Sequence, residues 1–285
     1  MKNLLIATDF SENANHAAEY GYEIACQLKV NIDLFNAFIV PVEIPQAGVS
    51  VWPPYNYEEL LHDCKTNLKE IAEVLGKKSL HAGFKPQIAY SCNVGTVPEV
   101  INEKIDEEGI SLIIMGTHGS NPWNGLLFGN HSRKMIDNVQ CPLLLVPPKS
   151  AIGPVKKIAF ATDFQELQKD TEAIYGIVPI LRALNAELLI THIYNEKGHN
   201  DEFEKQVEHF LAEMSAKANY PKISYSIVKN EKAEAGLDWL CRFEKVDILA
   251  MLHREHSFLD RTLNGSHTQK MAGHISVPLL VIPGH

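Results

Sequence analysis

The sequence contains one pattern twice, and this internal duplication constrains the fold more than any other feature. LLIATDF at residues 4–10 recurs as IAFATDF at 158–164, and CPLLLVPP at 141–148 recurs as VPLLVIPG at 277–284. The repeats keep their order and approximate spacing over almost the whole chain. A complete domain is therefore predicted to be duplicated.

Further matches lie between the first and the last repeated segment of each copy, and they give a first alignment of the two copies. Tyr20-Gly21 is matched with Tyr175-Gly176, and SLIIMG at 111–116 is matched with DILAM at 247–251. The stretch PPKSAIGP between the copies is rich in proline and small residues, which is typical of a linker. The two predicted domains are residues 1–150 and residues 151–285.

Within each copy, short apolar runs alternate with longer amphipathic runs. Continuous apolar strands such as LLIA and LLLV, separated by helices, are typical of a parallel sheet that is covered on both faces. We predict an α/β fold of two tandem Rossmann-like doubly wound domains, each with a five-stranded parallel sheet. In the first copy, strands are expected near 3–8, 31–38, 86–92, 111–115 and 142–146, and helices near 12–28, 57–81, 97–107 and 131–138.

The first copy carries an extra segment, residues 39–57, with the sequence IVPVEIPQAGVSVWPPYNY. It has four prolines, several aromatic residues and no helical period. Two interpretations stay open: a surface loop, or a lid or partner surface over a functional site.

Charge and hydropathy exclude several classes of protein. The formal net charge is -9, and no run rich in Lys and Arg is present to neutralise nucleic-acid phosphates. No apolar run approaches membrane-spanning length, and the first apolar run is too short for a signal peptide. We expect a cytoplasmic protein with neither a nucleic-acid partner nor a membrane segment.

Cysteine and histidine spacing gives little support for a metal site. The cysteines are scattered, odd in number and never arranged as CxxC, so we predict reduced thiols and no disulfide framework. The histidines of the second copy stand on a predicted loop without a matching Cys or carboxylate pattern, and no metal site is predicted. The cysteines are Cys26, Cys64, Cys92, Cys141 and Cys241, and the histidines are His253, His256, His267 and His274.

A glycine-rich stretch, GTHGSNPWNGLLFGNHS at 116–132, follows the predicted strand LIIM. Ligands of open parallel sheets bind outside the carboxyl ends of the strands. Glycines let backbone amides approach a ligand closely, and the N-terminus of the following helix attracts negative charge. We interpret the stretch as a phosphate loop flanked by His118 and His131, with an ordinary strand-to-helix turn as the alternative. It matches neither the Walker A loop nor the GxGxxG fingerprint.

Gly116, Gly119 and Gly129 have the spacing G-x2-G-x9-G. Together with ATDF at the end of the first strand and Gly95 in NVGTVPEVI, this arrangement resembles the universal stress protein family over essentially the whole chain. The resemblance implies a Rossmann-like fold and a ligand that is ATP or another adenine nucleotide, which Mg²⁺ could accompany. It also implies pairing through the last strand, giving an internal pseudo-dimer of the two copies, and two chains could form a homodimer.

The resemblance also implies roles for individual residues of the first copy. Asp9 would contact adenosine, Ala37 would lie beside the adenine, and the three glycines would hold the phosphates. Asn130 stands where the family has Ser or Thr, and it can still cap a helix and donate to phosphate through its amide. Ser132 is a substitute donor. An alternative role for Asp9 is to fix neighbouring amides in a strand-to-helix turn.

The second copy has lost part of this pattern. When SLIIMG is matched with DILAM, Met251 and Arg254 replace the first two glycines, and the loop is one residue longer than in the first copy. Side chains at these positions would crowd a phosphate, so we predict a degenerate site, although Arg254 could offer a charge to an anion. The residues of this vestigial site are Asp163, Ile193, Gly265 and Ser266.

Neither a GxSxG elbow nor an HExxH motif is present, and no catalytic residues are predicted. The preferred hypothesis is a universal stress protein whose first domain binds ATP or another adenine nucleotide in a stress response or in signalling. Two alternatives stay open. One is a scaffold that binds protein partners through its sheet edges and residues 39–57, and the other is a slow ATP hydrolase.

Overall fold

The computed structural model of the protein describes residues 3–40, 57–78, 83–117, 134–136, 138, 140–194, 201–253 and 277–284. Strands and helices alternate along the described chain, as the sequence predicts. The first half contains β1 (Asn3–Ala7), α1 (Glu12–Leu28), β2 (Asn31–Phe38), α2 (Tyr57–Gly76), β3 (Ile88–Val94), α3 (Val97–Glu108), β4 (Ile110–Gly116) and β5 (Leu143–Val146). The second half contains β6 (Lys157–Ala161), α4 (Leu167–Leu184), β7 (Glu187–Tyr194), α5 (Asp201–Lys217), β8 (Ile223–Lys229), α6 (Ala233–Phe243), β9 (Ile248–His253) and β10 (Leu279–Pro283).

The strands form one continuous sheet in the order β3-β2-β1-β4-β5-β10-β9-β6-β7-β8. The five strands of each half are parallel, and the halves meet where β5 and β10 pair antiparallel, with Leu144 opposite Leu280. The α/β fold with five parallel strands per half is therefore confirmed. The expected pairing of the two last strands is present, and it leaves neither of these apolar strands as an open edge.

Local sequence signals explain where helices begin and end. The Ser11 side chain caps α1 by accepting the Ala14 N–H at 3.2 Å, and Lys29 ends the helix in the left-handed conformation with φ 58°. Thr96 and Glu99 form a capping box at the start of α3. These short-range bonds satisfy amides that the helix itself leaves unpaired.

The expected element bounds agree closely with the structure in the first half. Helix α1 spans the predicted 12–28, whereas α2 ends at Gly76 instead of residue 81 and β3 begins at Ile88 instead of residue 86. Residues 134–136 and 138, within the last expected helix, are helical. Most of the extra segment 39–57 lies outside the described residues.

The helices cover both faces of the sheet. One apolar cluster joins a face of the sheet to α1, α2, α4 and α5, and it runs through both halves of the molecule. A second cluster joins the opposite face to α3 and α6. The central strands are buried on both sides, which explains their uninterrupted apolar sequences. Among the described residues, no helix is both long and apolar enough to cross a bilayer.

The sheet register corrects the first alignment of the two glycine loops. Met115 pairs with Ala7, and Met251 pairs with Ala161, so Met251 corresponds to Met115. Leu252, and not Met251, therefore occupies the position of Gly116. By residue number, Glu255 then stands at the position of Gly119, where the first alignment had placed Arg254, and the two loops have equal length.

The first helices of the two halves also shift by one residue relative to the sequence match. Lys29 and Asn185 each end their helix in the left-handed conformation, so they are equivalent positions. Counting back from them places Gly176 opposite Tyr20, and the match of Tyr20-Gly21 with Tyr175-Gly176 is wrong by one residue. The error arose because two residues are added before α4, which the sequence match could not detect.

The prediction that all five cysteines are reduced is wrong for one pair. Cys64 on α2 and Cys92 on β3 form a disulfide, with a sequence separation of 28 residues. The pair is formed because α2 packs directly on the edge strand, a contact that sequence spacing does not show. Cys26, Cys141 and Cys241 are free and buried, and burial raises the pKa of Cys141 and of Cys241 to about 12.

Candidate functional site

The carboxyl end of β1 forms a tight turn that positions Asp9. The Thr8 hydroxyl accepts the Phe10 N–H at 3.0 Å, and Phe10 adopts the left-handed conformation with φ 65°. Asp9 Oδ1 accepts the Ser11 N–H at 3.1 Å and the Ser11 hydroxyl at 2.5 Å. Asp9 thus fixes neighbouring groups in the turn, which is the alternative role expected from the sequence, while its side chain remains exposed at this edge of the sheet.

The second half builds the same turn from equivalent residues. The Thr162 hydroxyl accepts the Phe164 N–H at 2.9 Å, and Phe164 is left-handed with φ 57°. Asp163 Oδ1 accepts the Gln165 N–H at 3.1 Å. A bulky residue rarely adopts a positive φ, and two equivalent cases show that the surrounding hydrogen bonds determine this geometry in both halves.

A side chain from the second strand of each half ties this turn to the sheet. Asn36 Nδ2 donates to the Thr8 carbonyl oxygen at 2.7 Å, and His192 Nδ1 donates to the Thr162 carbonyl oxygen at 2.8 Å. Neither Asn36 nor His192 was predicted as a site residue from the sequence. The detectable signal was a polar residue at the third position from the end of each strand.

Three of the residues predicted for the first site lie at neighbouring strand ends. Asp9 follows β1, Ala37 is the penultimate residue of β2, and Gly116 is the last residue of β4. These strands are adjacent in the order β2-β1-β4, so the three residues share one edge of the sheet. A Cβ atom at Gly116 would lie 3.0 Å from the Asn13 carbonyl oxygen, and glycine is therefore needed there for packing against α1 as well.

The remaining predicted loop residues belong to the two segments that follow β4 and β9. The last described residue before the first loop is Thr117, and the last before the second loop is His253. The residues that lie outside the described chain are Gly119, Gly129, Asn130, Ser132, Gly265 and Ser266, together with His118, His131, Arg254, His256, His267 and His274. Among the described residues, no group of three or more His, Cys, Asp or Glu side chains is placed to hold a metal ion.

Near the expected adenosine position, the two halves place their bulky side chains at different positions. Gly95 has φ 145°, and a Cβ atom there would lie 2.9 Å from Val100 Cγ2. In the second half, a Cβ atom at Gly236 would lie 2.6 Å from Ile193 Cγ2 and 3.1 Å from Asn230 Cβ. Space that Val100 fills in the first half is therefore filled by Ile193 in the second, beside the expected adenosine position.

A buried ion pair joins β2 to α3 in the first domain, and it was not predicted from the sequence. Lys104 Nζ is 2.8 Å from Asp33 Oδ2 and 2.8 Å from Glu108 Oε1, and the Ser91 hydroxyl donates to Asp33 Oδ1 at 3.2 Å. Burial lowers the pKa of Lys104, but its bonds to the two carboxylates outweigh this effect and raise the pKa above its usual value. The ammonium group is therefore held in its charged form.

Comparison with known proteins identifies the family. The sequence profile described as "Universal stress protein family" matches residues 1–147 and again residues 154–283. Universal stress protein YxiE of Bacillus subtilis is 23% identical over 145 residues, which is 50% of this chain and 97% of that protein. Universal stress protein MJ0577 of Methanocaldococcus jannaschii is 26% identical over 163 residues, which is 53% of this chain and 97% of that protein.

Solved structures agree in fold over the full length. A universal stress protein from Archaeoglobus fulgidus aligns with a TM-score of 0.69 and 16% identity, and the alignment covers 99% of this chain and 98% of that chain. The two profile matches together span nearly the whole sequence, and each falls on one half of the ten-stranded sheet. The chain therefore belongs to the universal stress protein family and carries two family domains in tandem.

Proposed function

We propose that the first domain, residues 1–150, binds ATP or another adenine nucleotide, and that the protein acts in a cytoplasmic stress response or signalling. The observation that carries this proposal is the grouping of Asp9, Ala37 and Gly116 at adjacent strand ends. Gly116 also begins the G-x2-G-x9-G spacing, so a loop suited to phosphate would start beside the expected adenosine contacts.

Each group has a defined part in this proposal. Asp9 Oδ1 accepts two hydrogen bonds from Ser11. The remaining acceptor sites of this exposed carboxylate accept hydrogen bonds from the ribose hydroxyls. Ala37 gives a small, partly buried surface on which an adenine ring can lie. The amides of Gly119 and Gly129, with Asn130 and Ser132 as side-chain donors, would face the phosphates, and Mg²⁺ could bind there with them.

The second domain, residues 151–285, is proposed not to bind a nucleoside triphosphate. Leu252 replaces Gly116, and Glu255 stands at the position of Gly119. A carboxylate repels phosphate where the first domain offers only backbone amides. Ile193 also takes up space where the first domain has Ala37, so the two halves differ at both ends of the expected ligand.

Calorimetry with ATP and AMP on the full chain tests the proposal. Gly119→Val is expected to abolish binding because a side chain blocks the approach of phosphate to the loop amides. Gly265→Val, a glycine-to-valine change at the second-domain position that corresponds to Gly129, is expected to leave affinity unchanged. Asn130→Ser is expected to raise affinity about ten- to a hundredfold, since it adds a hydroxyl donor beside a charged group.

Far-UV circular dichroism on the same samples checks that the sheet is intact. Equal ATP affinity in the wild type, Gly119→Val and Asn130→Ser would contradict the proposal. Phosphate release measured in the calorimetry samples separates binding from slow hydrolysis, and mass spectrometry of nucleotide released from denatured protein identifies the bound species.

A scaffold function is the second candidate, and one surface feature favours it. Trp239 and Phe243 on α6 are 50% and 67% exposed, and their rings stack with centroids 4.7 Å apart. An exposed aromatic pair of this size is typical of a surface that contacts another protein. If nucleotide affinity is absent from all the variants above, this function, including a homodimer through α6, becomes the preferred one.

A further inference from the structure

A cleft lies at the boundary between the two domains, on the face of the sheet that α1 and α4 cover. Its volume is about 270 Å³, and it is partly open to solvent. The walls come from α4, from the ends of β9 and β10, and from the chain just before β5, so both domains contribute. The main apolar lining residues are Pro142, Ala173, Ile177, Leu252, Ile282 and Pro283. An apolar cavity of about 150 Å³ already holds a benzene ring, so this cleft has room for a small ring compound.

Gly176 is the residue that leaves this cleft open. It lies in the interior of α4, where glycine is less favourable than alanine because it loses more backbone freedom on folding. A Cβ atom at Gly176 would meet nothing within 4 Å outside its own helix, and its φ is not positive. Neither packing nor backbone conformation therefore requires glycine here. What the glycine provides is the open space.

The first domain has an aromatic ring at the equivalent position. Counting back from the helix ends at Lys29 and Asn185 makes Tyr20 the equivalent of Gly176. The Tyr20 side chain is 2% exposed and belongs to the apolar cluster that runs through both halves. The same cluster contains several residues that line the cleft in the second domain. A phenol ring is thus the group that this fold accommodates where the second domain has the cleft.

The next position along each helix changes in the opposite direction. Gly21 lets α1 lie close to the sheet, since a Cβ atom there would lie 2.7 Å from Ile6 Cδ1. Ile177 is the equivalent residue of α4, and it is fully buried and lines the cleft. The exchange of Tyr20-Gly21 for Gly176-Ile177 therefore leaves a space with an apolar floor.

The charged groups at the rim do not favour a charged ligand. Lys169 and Glu172 have opposite charges, and the described lining of the cleft carries no net charge. Lys169 forms an ion pair with Glu166 at 2.8 Å, and Gln168 donates a hydrogen bond to Glu172 at 3.1 Å. An ionic ligand would lose hydration to groups that already have partners. The amide of Gln140, which also lines the cleft, can both donate to and accept from a neutral hydroxyl group.

We propose that this cleft binds a small neutral aromatic molecule with a phenol-like hydroxyl group. The ring lies beside Gly176 and against Ile177 and Ile282, as the Tyr20 ring does at the equivalent place in the first domain. The hydroxyl group faces the polar rim at Gln140. This site is separate from the expected nucleotide site, and it does not depend on nucleotide binding by the first domain.

Methyl NMR on the full chain tests the site with 4-methylphenol, which reproduces the tyrosine side chain. The probe is expected to shift the methyl signals of Ala173, Ile177 and Ile282 and to saturate with a Kd below about 5 mM. The anion 4-methylbenzoate has the same ring and should bind at least about threefold more weakly. Ala17 is the first-domain equivalent of Ala173, and its signal should not move because Tyr20 occupies the space beside it.

Variants assign the binding to the cleft. Gly176→Tyr introduces the first-domain side chain and is expected to weaken 4-methylphenol binding at least about tenfold. Gly176→Leu fills the same space with a residue of high helix propensity and should have the same effect. Gly76→Tyr is the matched control, because Gly76 ends α2 and a Cβ atom there also meets nothing within 4 Å. The control should keep the affinity of the wild type within about twofold.

Three results would overturn the proposal. One is the absence of a saturable shift at the cleft methyl groups up to about 10 mM 4-methylphenol. Another is binding of 4-methylbenzoate as tight as that of the phenol. The third is an affinity within about twofold of the wild type in Gly176→Leu. Leucine favours the helix and adds no polar group, so this variant keeps the test valid if Gly176→Tyr disturbs folding, which far-UV circular dichroism detects.

Discussion

The two domains have the same strand-end turn but different interiors directly beneath it. Thr8 and Thr162 bind the following turn in the same way, and Phe10 and Phe164 share an unusual backbone conformation. Phe35 pairs with Ala7 as Thr191 pairs with Ala161, so a buried aromatic ring in the first domain is replaced by a buried hydroxyl in the second. The turn is therefore preserved by local hydrogen bonds, which allows the chemistry of the surrounding positions to change independently.

The same difference extends to charged and covalent contacts. Asp33 and Leu189 are equivalent because each pairs with the matching residue of its first strand. Lys104 and Leu240 each lie five residues before a left-handed residue that precedes the next strand. The positions of the buried ion pair are thus held in the second domain by two leucines that belong to the second apolar cluster. The same fold therefore accommodates either an ion pair or two leucines at these positions, and the second domain shows which residues can replace the ion pair.

Breaking the ion pair is expected to give the largest loss of stability. Lys104→Leu removes the partner of a buried carboxylate, and the free energy of unfolding should fall by about 3–5 kcal/mol. Asp33→Leu combined with Lys104→Leu reproduces the second-domain contact and should recover most of this loss, because no buried charge remains unpaired. Urea unfolding of the wild type and the variants provides the measurement.

Lys157→Leu is the matched control for that experiment. Lys157 contacts Glu187 and Glu244 at the protein surface, at 3.7 Å and 3.3 Å, and its loss should cost only about 0–1 kcal/mol. If the double variant is no more stable than Lys104→Leu alone, the two domains are not interchangeable at this position. A further contact of the ion pair, such as that between Lys104 and Glu108, would then account for the lost stability.

Removing the disulfide is expected to have the next largest effect. Cys64 and Val207 occupy equivalent places in the buried stripes of α2 and α5, and Cys92 is equivalent to Ile227 by strand register. Cys64→Val with Cys92→Ile should lower the free energy of unfolding by about 2–4 kcal/mol, because the unfolded chain is no longer cross-linked.

A dithiol reductant distinguishes the cross-link from side-chain packing. The wild type should lose a similar amount of stability in reductant, while the double variant should not respond. Cys26, Cys141 and Cys241 are buried and free, so their oxidation state does not change in this comparison. A wild type that unfolds at the same urea concentration with and without reductant would show that the cross-link does not contribute.

The sequence predicted most of the fold because its strongest signals are local and are repeated. The apolar strands, the cap at Ser11 and the duplicated ATDF motif each depend on neighbouring residues only. The Cys64–Cys92 disulfide and the Asp33–Lys104 pair join residues 28 and 71 positions apart, and only packing brings them together. The candidate site was predicted at Asp9, Ala37 and Gly116, which the sheet places side by side.

The second-domain site was harder to predict because a one-residue error changes every assignment. The added residues before α4 hid the equivalence of Gly176 with Tyr20, and the loop alignment gave Met251 the place of Leu252. The correct equivalences follow only once the two halves are superposed by strand register.

The smallest expected effect concerns the volume exchange beside the adenosine position. Val100 and Gly236 each lie nine residues before a left-handed residue, so Gly236→Val introduces the first-domain side chain. Ile193 already occupies that space, with Cγ2 only 2.6 Å from the position of the new Cβ, and overpacking should cost about 1–3 kcal/mol. Adding Ile193→Ala supplies the residue equivalent to Ala37 and should restore the stability within about 1 kcal/mol, because the pair then matches the first domain. Thermal unfolding of the two variants measures both changes. Equal destabilisation by Gly236→Val with and without Ile193→Ala would show that Asn230, and not Ile193, sets the limit on volume at this position.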